Sequence, residues 1–107
     1  MKLWIDDTRP APDGFVWCKT VNEAKLIIAS IRQMHLIEHK ANLPDIELID
    51  IDHDAGYYAN FGGDYIRVLD WLEKQGWSYP IHIHSMNPVG VQRMRAIIRH
   101  NGWGEVL

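Results

Sequence analysis

The chain has 107 residues and a formal net charge of −3, with 47% hydrophobic and 23% charged side chains. That length and mix suit one soluble globular domain, and the acidic balance argues against a broad basic surface for duplex DNA while leaving room for a local patch. Apolar runs fall short of the ~18 residues of a membrane span, the N-terminus lacks a signal-peptide pattern, and the lone Cys18 permits no intrachain disulfide, which suits a reducing cytoplasm.

The first element, KLWID, reads as a short strand ending at Asp6 or Asp7. TRPAPDG, residues 8–14, is a loop marked by two prolines and a glycine. FVWCKT is a second strand. Thr20, with Glu23 three positions on, forms a capping box and starts a helix. Val21, Ala24, Ile28, Ile31 and His35 give that helix one mostly apolar face. IELIDID, residues 46–52, is the third strand. A loop with Gly56, Gly62 and Gly63 turns into a second helix, DYIRVLDWLEKQ, with Tyr65, Val68, Leu69 and Leu72 inward and Gly76 as its stop. IHIHS, residues 81–85, is the fourth strand. Asn87 and Pro88 are the cap and first position of a last helix, with Val91, Met94 and Ile98 inward and Gly102 at its end. Alternating strands and helices predict an α/β fold with an open, mainly parallel sheet of about four strands. One connection is unusual. The stretch 7–14 is shorter than the helical crossover of about a dozen residues that parallel strands normally need. Extended, it still spans up to ~28 Å, so the direction of strand two stays open.

In such sheets ligands bind beyond the carboxyl ends of the strands, and those ends are polar here. Strand one ends in Asp6-Asp7, followed by Arg9; strand three in Asp52-His53-Asp54; strand four in His84-Ser85, followed by Asn87. Two carboxylates ~4 Å apart repel by ~4 kcal/mol at an effective dielectric near ~20. Convergence of Asp6, Asp7, Asp52 and Asp54 therefore demands a cation, a raised carboxylate pKa or a basic side chain such as Arg9. An oxygen-rich set that keeps waters suits Mg²⁺ or Mn²⁺. The competing reading is local: Asp7 caps a turn and Asp54 bonds loop amides. Asp50, two residues deeper in strand three, reads as a structural hydrogen-bonding residue.

His82 and His84 share one face of strand four, ~6.6 Å apart. His84 lies nearer the site and suits proton transfer at neutral pH, as does His53. The pair could instead ligate a softer metal such as Zn²⁺, or His82 could face solvent on an edge strand. His35, His39 and His100 read as solvated or core-edge residues. Arg9 matches phosphate oxygens with its fork of donors, or else holds the aspartates in a salt bridge. Ser85, Asn87 and the amides opening the last helix can donate to a phosphate, with a plain helix cap as the rival role for Asn87. Gly62-Gly63-Asp64 reads as a turn into the helix. Tyr57, Tyr58 and Phe61 anchor their loop or stack on a nucleobase, and Trp71, Trp77 and Trp103 read as core. No catalytic-triad order, zinc-finger spacing or P-loop is present.

These strand ends resemble the receiver domain of two-component response regulators. In that family the acidic pair and the strand-three aspartate hold Mg²⁺, that aspartate accepts a phosphoryl group, and a strand-four hydroxyl contacts the phosphate. Carried over, these are Asp6, Asp7, Asp52 and Ser85. The segments IDDTRPAP, DIDHDAG, GGDYIRVLDWL and HIHSMNPVG, from Leu3 to about Gly102, are closer to a divergent branch, the cyclic-phosphate processing receiver domain family. The resemblance implies a small receiver-like (flavodoxin-like) sheet. It lacks the first helix, replaced by TRPAPDG, and the last strand-helix unit with its phosphate-binding lysine.

The expected activity is a metal-dependent phosphoesterase that processes a cyclic phosphate of a nucleotide or RNA end. Asp6, Asp7, Asp52 and Asp54 are the metal candidates, Asp52, His53 and His84 the catalytic ones, and Arg9, Ser85 and Asn87 the phosphate-orienting ones. The alternatives are a non-catalytic module that binds a nucleotide or protein partner, and a phosphoacceptor receiver at Asp52.

Overall fold

A computed structural model describes residues 1–38 and 45–107; His39 lies outside them. In chain order the elements are β1 (Lys2–Ile5), β2 (Phe15–Cys18), α1 (Val21–Glu38), β3 (Leu48–Ile51), a 3₁₀ turn (Gly56–Phe61), α2 (Ile66–Gln75), β4 (Ile81–Ile83) and α3 (Pro88–Asn101). The strands form one sheet in the order β2-β1-β3-β4, and every pairing is parallel. The open direction of strand two is thereby resolved. The order runs outward both ways from β1 and β3, so their carboxyl ends flank the switch point where such sheets bind ligands.

A bare loop makes the β1–β2 crossover because it is tied down at several points. Asp6 Oδ1 accepts the backbone N–H groups of Thr8 (2.9 Å) and Arg9 (2.8 Å). The indole N–H of Trp4 donates to the Arg9 carbonyl and that of Trp17 to the Asp6 carbonyl, each at 2.8 Å. Bonds between side chains and backbone thus replace the ladder a crossover helix would supply. Trp17→Phe keeps a ring but deletes one of these donors. It is expected to lower unfolding free energy by about 1–2 kcal/mol in urea titration; an unchanged midpoint would remove the indole from this role.

Leu3, Ile5, Ile49, Ile51 and Ile81 are fully buried and alternate on one face of the sheet. The buried residues of all three helices join them in one cluster, among them Val21, Ile28, Leu69, Leu72, Met94 and Ile98. Trp71, Trp77 and Trp103 pack against that cluster half-buried. The other face carries the register row Trp17, Trp4, Asp50 and His82. The helix boundaries follow the expected signals. Thr20 Oγ1 accepts the Glu23 N–H at 3.0 Å, and Gly76 and Gly102 end α2 and α3 at positive φ. In α3 the buried positions are Gly90, Met94 and Ile98, while Val91, expected inward, is half-buried.

Where no further strand was expected, Glu105 forms a one-residue parallel bridge with Ile81. It is held by Ile81 N–H to the Gly104 carbonyl and Val106 N–H to the Ile81 carbonyl. Among the described residues no helix is long and apolar enough to cross a membrane.

Candidate functional site

Three site residues stand one position beyond the last residue of a strand, and the neighbouring strand fixes each in the same way. The Asp6 N–H donates to the Cys18 carbonyl, Asp52 to Ile5 and His84 to Ile51 (3.2, 2.9 and 3.0 Å). The sheet ladder therefore continues through the backbone of the site, while the side chains are free of the strand pattern. Ligand atoms of Asp6, Asp52 and His84 lie within 4.8 Å of one another.

Asp6 is fully buried. Burial pushes its carboxyl up, but the N–H donors of Arg9 and Thr8 and the pairing with His84 outweigh this and hold it below the usual carboxylate value. His84 bridges two carboxylates, with Nδ1 2.6 Å from Asp50 Oδ1 and Nε2 2.8 Å from Asp6 Oδ2. Burial lowers the pKa of this imidazole, yet the two carboxylates prevail and raise it above the usual histidine value. Trp4 lies flat on the ring at a 3.9 Å centroid distance, a face contact that favours a cation. The basic group that offsets the aspartates is thus His84. Arg9 pairs with no carboxylate among the described residues; its Nη1 reaches the His84 carbonyl at 3.5 Å, and its side chain is exposed.

Asp7 differs from Asp6. Burial, then the charges of Asp6 and Asp52, push its carboxyl up against the pull of the Asp7 and Thr8 backbone N–H groups. The 3₁₀ turn begins directly against it: a Cβ at Gly56 would lie 2.6 Å from Asp7 Oδ2, and Gly56 has φ +55°. Asp52 Oδ1 accepts the His53 N–H at 2.7 Å, and Oδ2 has no hydrogen-bond donor among the described residues. These crowded, under-paired carboxylates fit a hard divalent cation in charge and donor type.

Asp54 belongs to a second group, with His53 and Asp64. His53 Nδ1 is 2.8 Å from Asp54 Oδ1. Asn87 Nδ2 donates to both Asp54 oxygens at 3.3 and 3.4 Å. The His53 hydrogen bond, with Asn87 in support, holds the Asp54 carboxyl below its usual value against the effect of burial. Asn87 is also the cap of α3, its Oδ1 accepting the Gly90 N–H at 3.0 Å, so one residue serves both expected roles. Ser85 Oγ accepts the Asn87 N–H at 3.1 Å. His82 Nδ1 is 2.8 Å from the Val106 carbonyl, so the two histidines of strand four have separate partners. Tyr57 and Tyr58 meet edge to face at 5.6 Å between ring centroids, and Phe61 is tilted against them at 6.1 and 6.5 Å, with Tyr57 73% exposed.

Gly90 is a site residue the sequence did not single out. A Cβ there would collide with the His53 ring, so the first turn of α3 seats the imidazole only because the position is glycine. Gly90→Ala is expected to displace the ring, seen as shifted His53 imidazole resonances by NMR. Any turnover that uses His53 should fall by at least about tenfold. Unmoved resonances would contradict the contact.

The family model described as the cyclic-phosphate processing receiver domain matches residues 1–100. No curated protein and no solved structure matches the chain significantly. With a receiver-like parallel sheet, an acidic pair after β1 and an aspartate after β3, and a family model spanning nearly the whole length, the chain belongs to the cyclic-phosphate processing receiver domain family.

Proposed function

We propose that this site hydrolyses a cyclic phosphate of a nucleotide or RNA end with the help of a divalent metal. The observation that carries the reading is the meeting of Asp6 and Asp52, whose charges also reach Asp7, at the switch point of the sheet. Asp6, Asp7 and Asp52 are the residues that would hold Mg²⁺ or Mn²⁺, Asp6 through an oxygen that is already in a hydrogen bond. When bound, such an ion supplies charge neutralisation at phosphoryl oxygens and acidifies a water.

The chain's own groups supply the rest. Arg9 is exposed at the rim beside the His84 carbonyl and offers its fork to the phosphate. The Ser85 hydroxyl hydrogen adds a donor, whereas the Gly90 N–H at the start of α3 is taken by the Asn87 cap. Ring opening by water forms one P–O bond and breaks another, and the ribose oxygen that leaves needs a proton. His53 suits that transfer. Asp54 fixes its Nδ1 side, and its other ring nitrogen makes no hydrogen bond among the described residues. His84 has both nitrogens on carboxylates and acts as a positioning residue that holds Asp6 in place. Asp54, engaged with His53 and Asn87, orients the base instead of adding to the metal set.

Turnover in ¹⁸O-labelled water tests the reading. Direct hydrolysis places one ¹⁸O on the phosphate of the product, and mass spectrometry should find it there, with no acyl-phosphate on Asp52. A stable acyl-phosphate at Asp52, formed from a small phosphodonor without ring opening, would replace hydrolysis with the phosphoacceptor reading.

A further inference from the structure

We infer that a basic cleft between α1 and α2 is a binding site for the backbone of a single-stranded nucleic acid, so that the substrate is the end of a strand and not a free mononucleotide. This rests on the proposed hydrolysis of a cyclic phosphate and names the substrate class of that same site. The cleft has a volume of about 480 Å³ and is lined by Lys25 of α1, by Gly62 and Gly63, and by Arg67, Asp70, Trp71 and Lys74 of α2. Three cations face one carboxylate, on a chain whose net charge is −3. Among the described residues Asp70 engages only Arg67, in an exposed pair 3.7 Å long, which is weak. Lys25 and Lys74 pair with no carboxylate among the described residues. Helical spacing puts Arg67, Trp71 and Lys74 on one face of α2.

The cleft is also connected to the acidic site. The 3₁₀ turn Gly56–Phe61 starts against Asp7 and delivers the chain to Gly62 and Gly63 at the cleft wall. Six residues at about 2 Å each make that path roughly 12 Å long. Along it stand Tyr57, 73% exposed, and Phe61, 46% exposed. Aromatic faces that lead from a reaction centre to a pocket of cations are the elements of sequence-tolerant strand binding: bases stack and phosphates are neutralised. A mononucleotide at the acidic site would leave both unused.

The test uses the full chain and a fluorescein-labelled RNA hexamer ending in a plain 3′-hydroxyl, read by anisotropy. Binding is expected, weakening with salt. The variant Lys25→Gln/Arg67→Gln/Lys74→Gln should bind at least about tenfold more weakly, its salt slope shallower by ~0.7 for each phosphate it no longer neutralises. Tyr57→Ala/Phe61→Ala should weaken binding about tenfold. The triple variant should also raise KM for a hexamer ending in a 2′,3′-cyclic phosphate, while kcat/KM for a cyclic mononucleotide stays unchanged. Unaltered hexamer affinity in the triple variant, or equal losses on hexamer and mononucleotide, would overturn the site. Competition by polyglutamate as strong as that by RNA would assign the cleft to an acidic protein segment instead. If no cyclic phosphate is turned over, cleft-dependent hexamer binding upholds the strand site and counts against the hydrolytic reading alone.

Discussion

His84→Ala is expected to destabilise the fold by about 3–5 kcal/mol, the usual cost of removing one partner from a buried ion pair. The side chains of His84, Asp6 and Asp50 are 9%, 0% and 11% exposed, so the two carboxylates lose their shared partner where bulk water reaches them poorly. For a chain of this size that corresponds to a fall in Tm of at least about 10 °C. The cause is the stranded carboxylates, and Asp50→Asn in the same background should therefore recover part of the loss, with a coupling of at least about 1 kcal/mol. Additive effects would contradict the bridge. The pH dependence follows from the directions of the shifts. His84 is raised in the folded state, so its contribution is full below the ordinary histidine value near ~6.5 and fades as pH rises through the raised value. Asp6 is lowered, so its contribution is full above the ordinary carboxylate value and fades as pH falls through the lowered one. In chelator, wild-type stability should thus decline on the alkaline side above neutrality, and His84→Ala should lose that limb.

Asp52→Asn is expected to reduce cyclic-phosphate turnover by at least about 10²-fold, on the scale of losing a principal electrostatic group at a reacting centre. Stability should change little. Among the described residues Asp52 accepts one hydrogen bond, from the His53 N–H, which the amide oxygen of asparagine can accept equally, and the half-buried side chain leaves no ion pair behind there. Calorimetry should show Mn²⁺ affinity falling together with activity. Full turnover with weakened metal binding would separate the two and move the metal out of the reaction.

Much of this architecture was legible from local patterns. The capping box at Thr20, Asn87-Pro88 and the glycine stops mark helices by backbone chemistry that tertiary contacts do not override. The strand ends at Asp6, Asp52 and His84 could be read because apolar strand bodies give way abruptly to polar residues. What stayed hidden depends on register between distant strands. Nothing local shows that Trp4 and Asp50 are register neighbours, so the Asp50–His84–Asp6 bridge under the Trp4 ring could not be assembled. Arg9 was the obvious counter-charge by sequence proximity, whereas the sheet supplies His84 from 78 residues away. Gly90 was equally silent, since its role is the space it leaves for His53. The parallel direction of β2 was open for a related reason: the indoles that tie the loop lie on the strands, outside the loop itself.

The proposed metal-dependent opening of a cyclic phosphate at Asp6, Asp7 and Asp52 is tested directly by ³¹P NMR. The substrates are a panel of 2′,3′- and 3′,5′-cyclic nucleotides, cyclic dinucleotides and cyclic-phosphate RNA ends. Each is incubated with the purified protein in Mg²⁺, Mn²⁺ or chelator. Conversion of one class to a phosphomonoester or linear diester is expected in metal, and none in chelator. No conversion across the panel in either metal, or equal conversion in chelator, would rule out metal-dependent hydrolysis at this site.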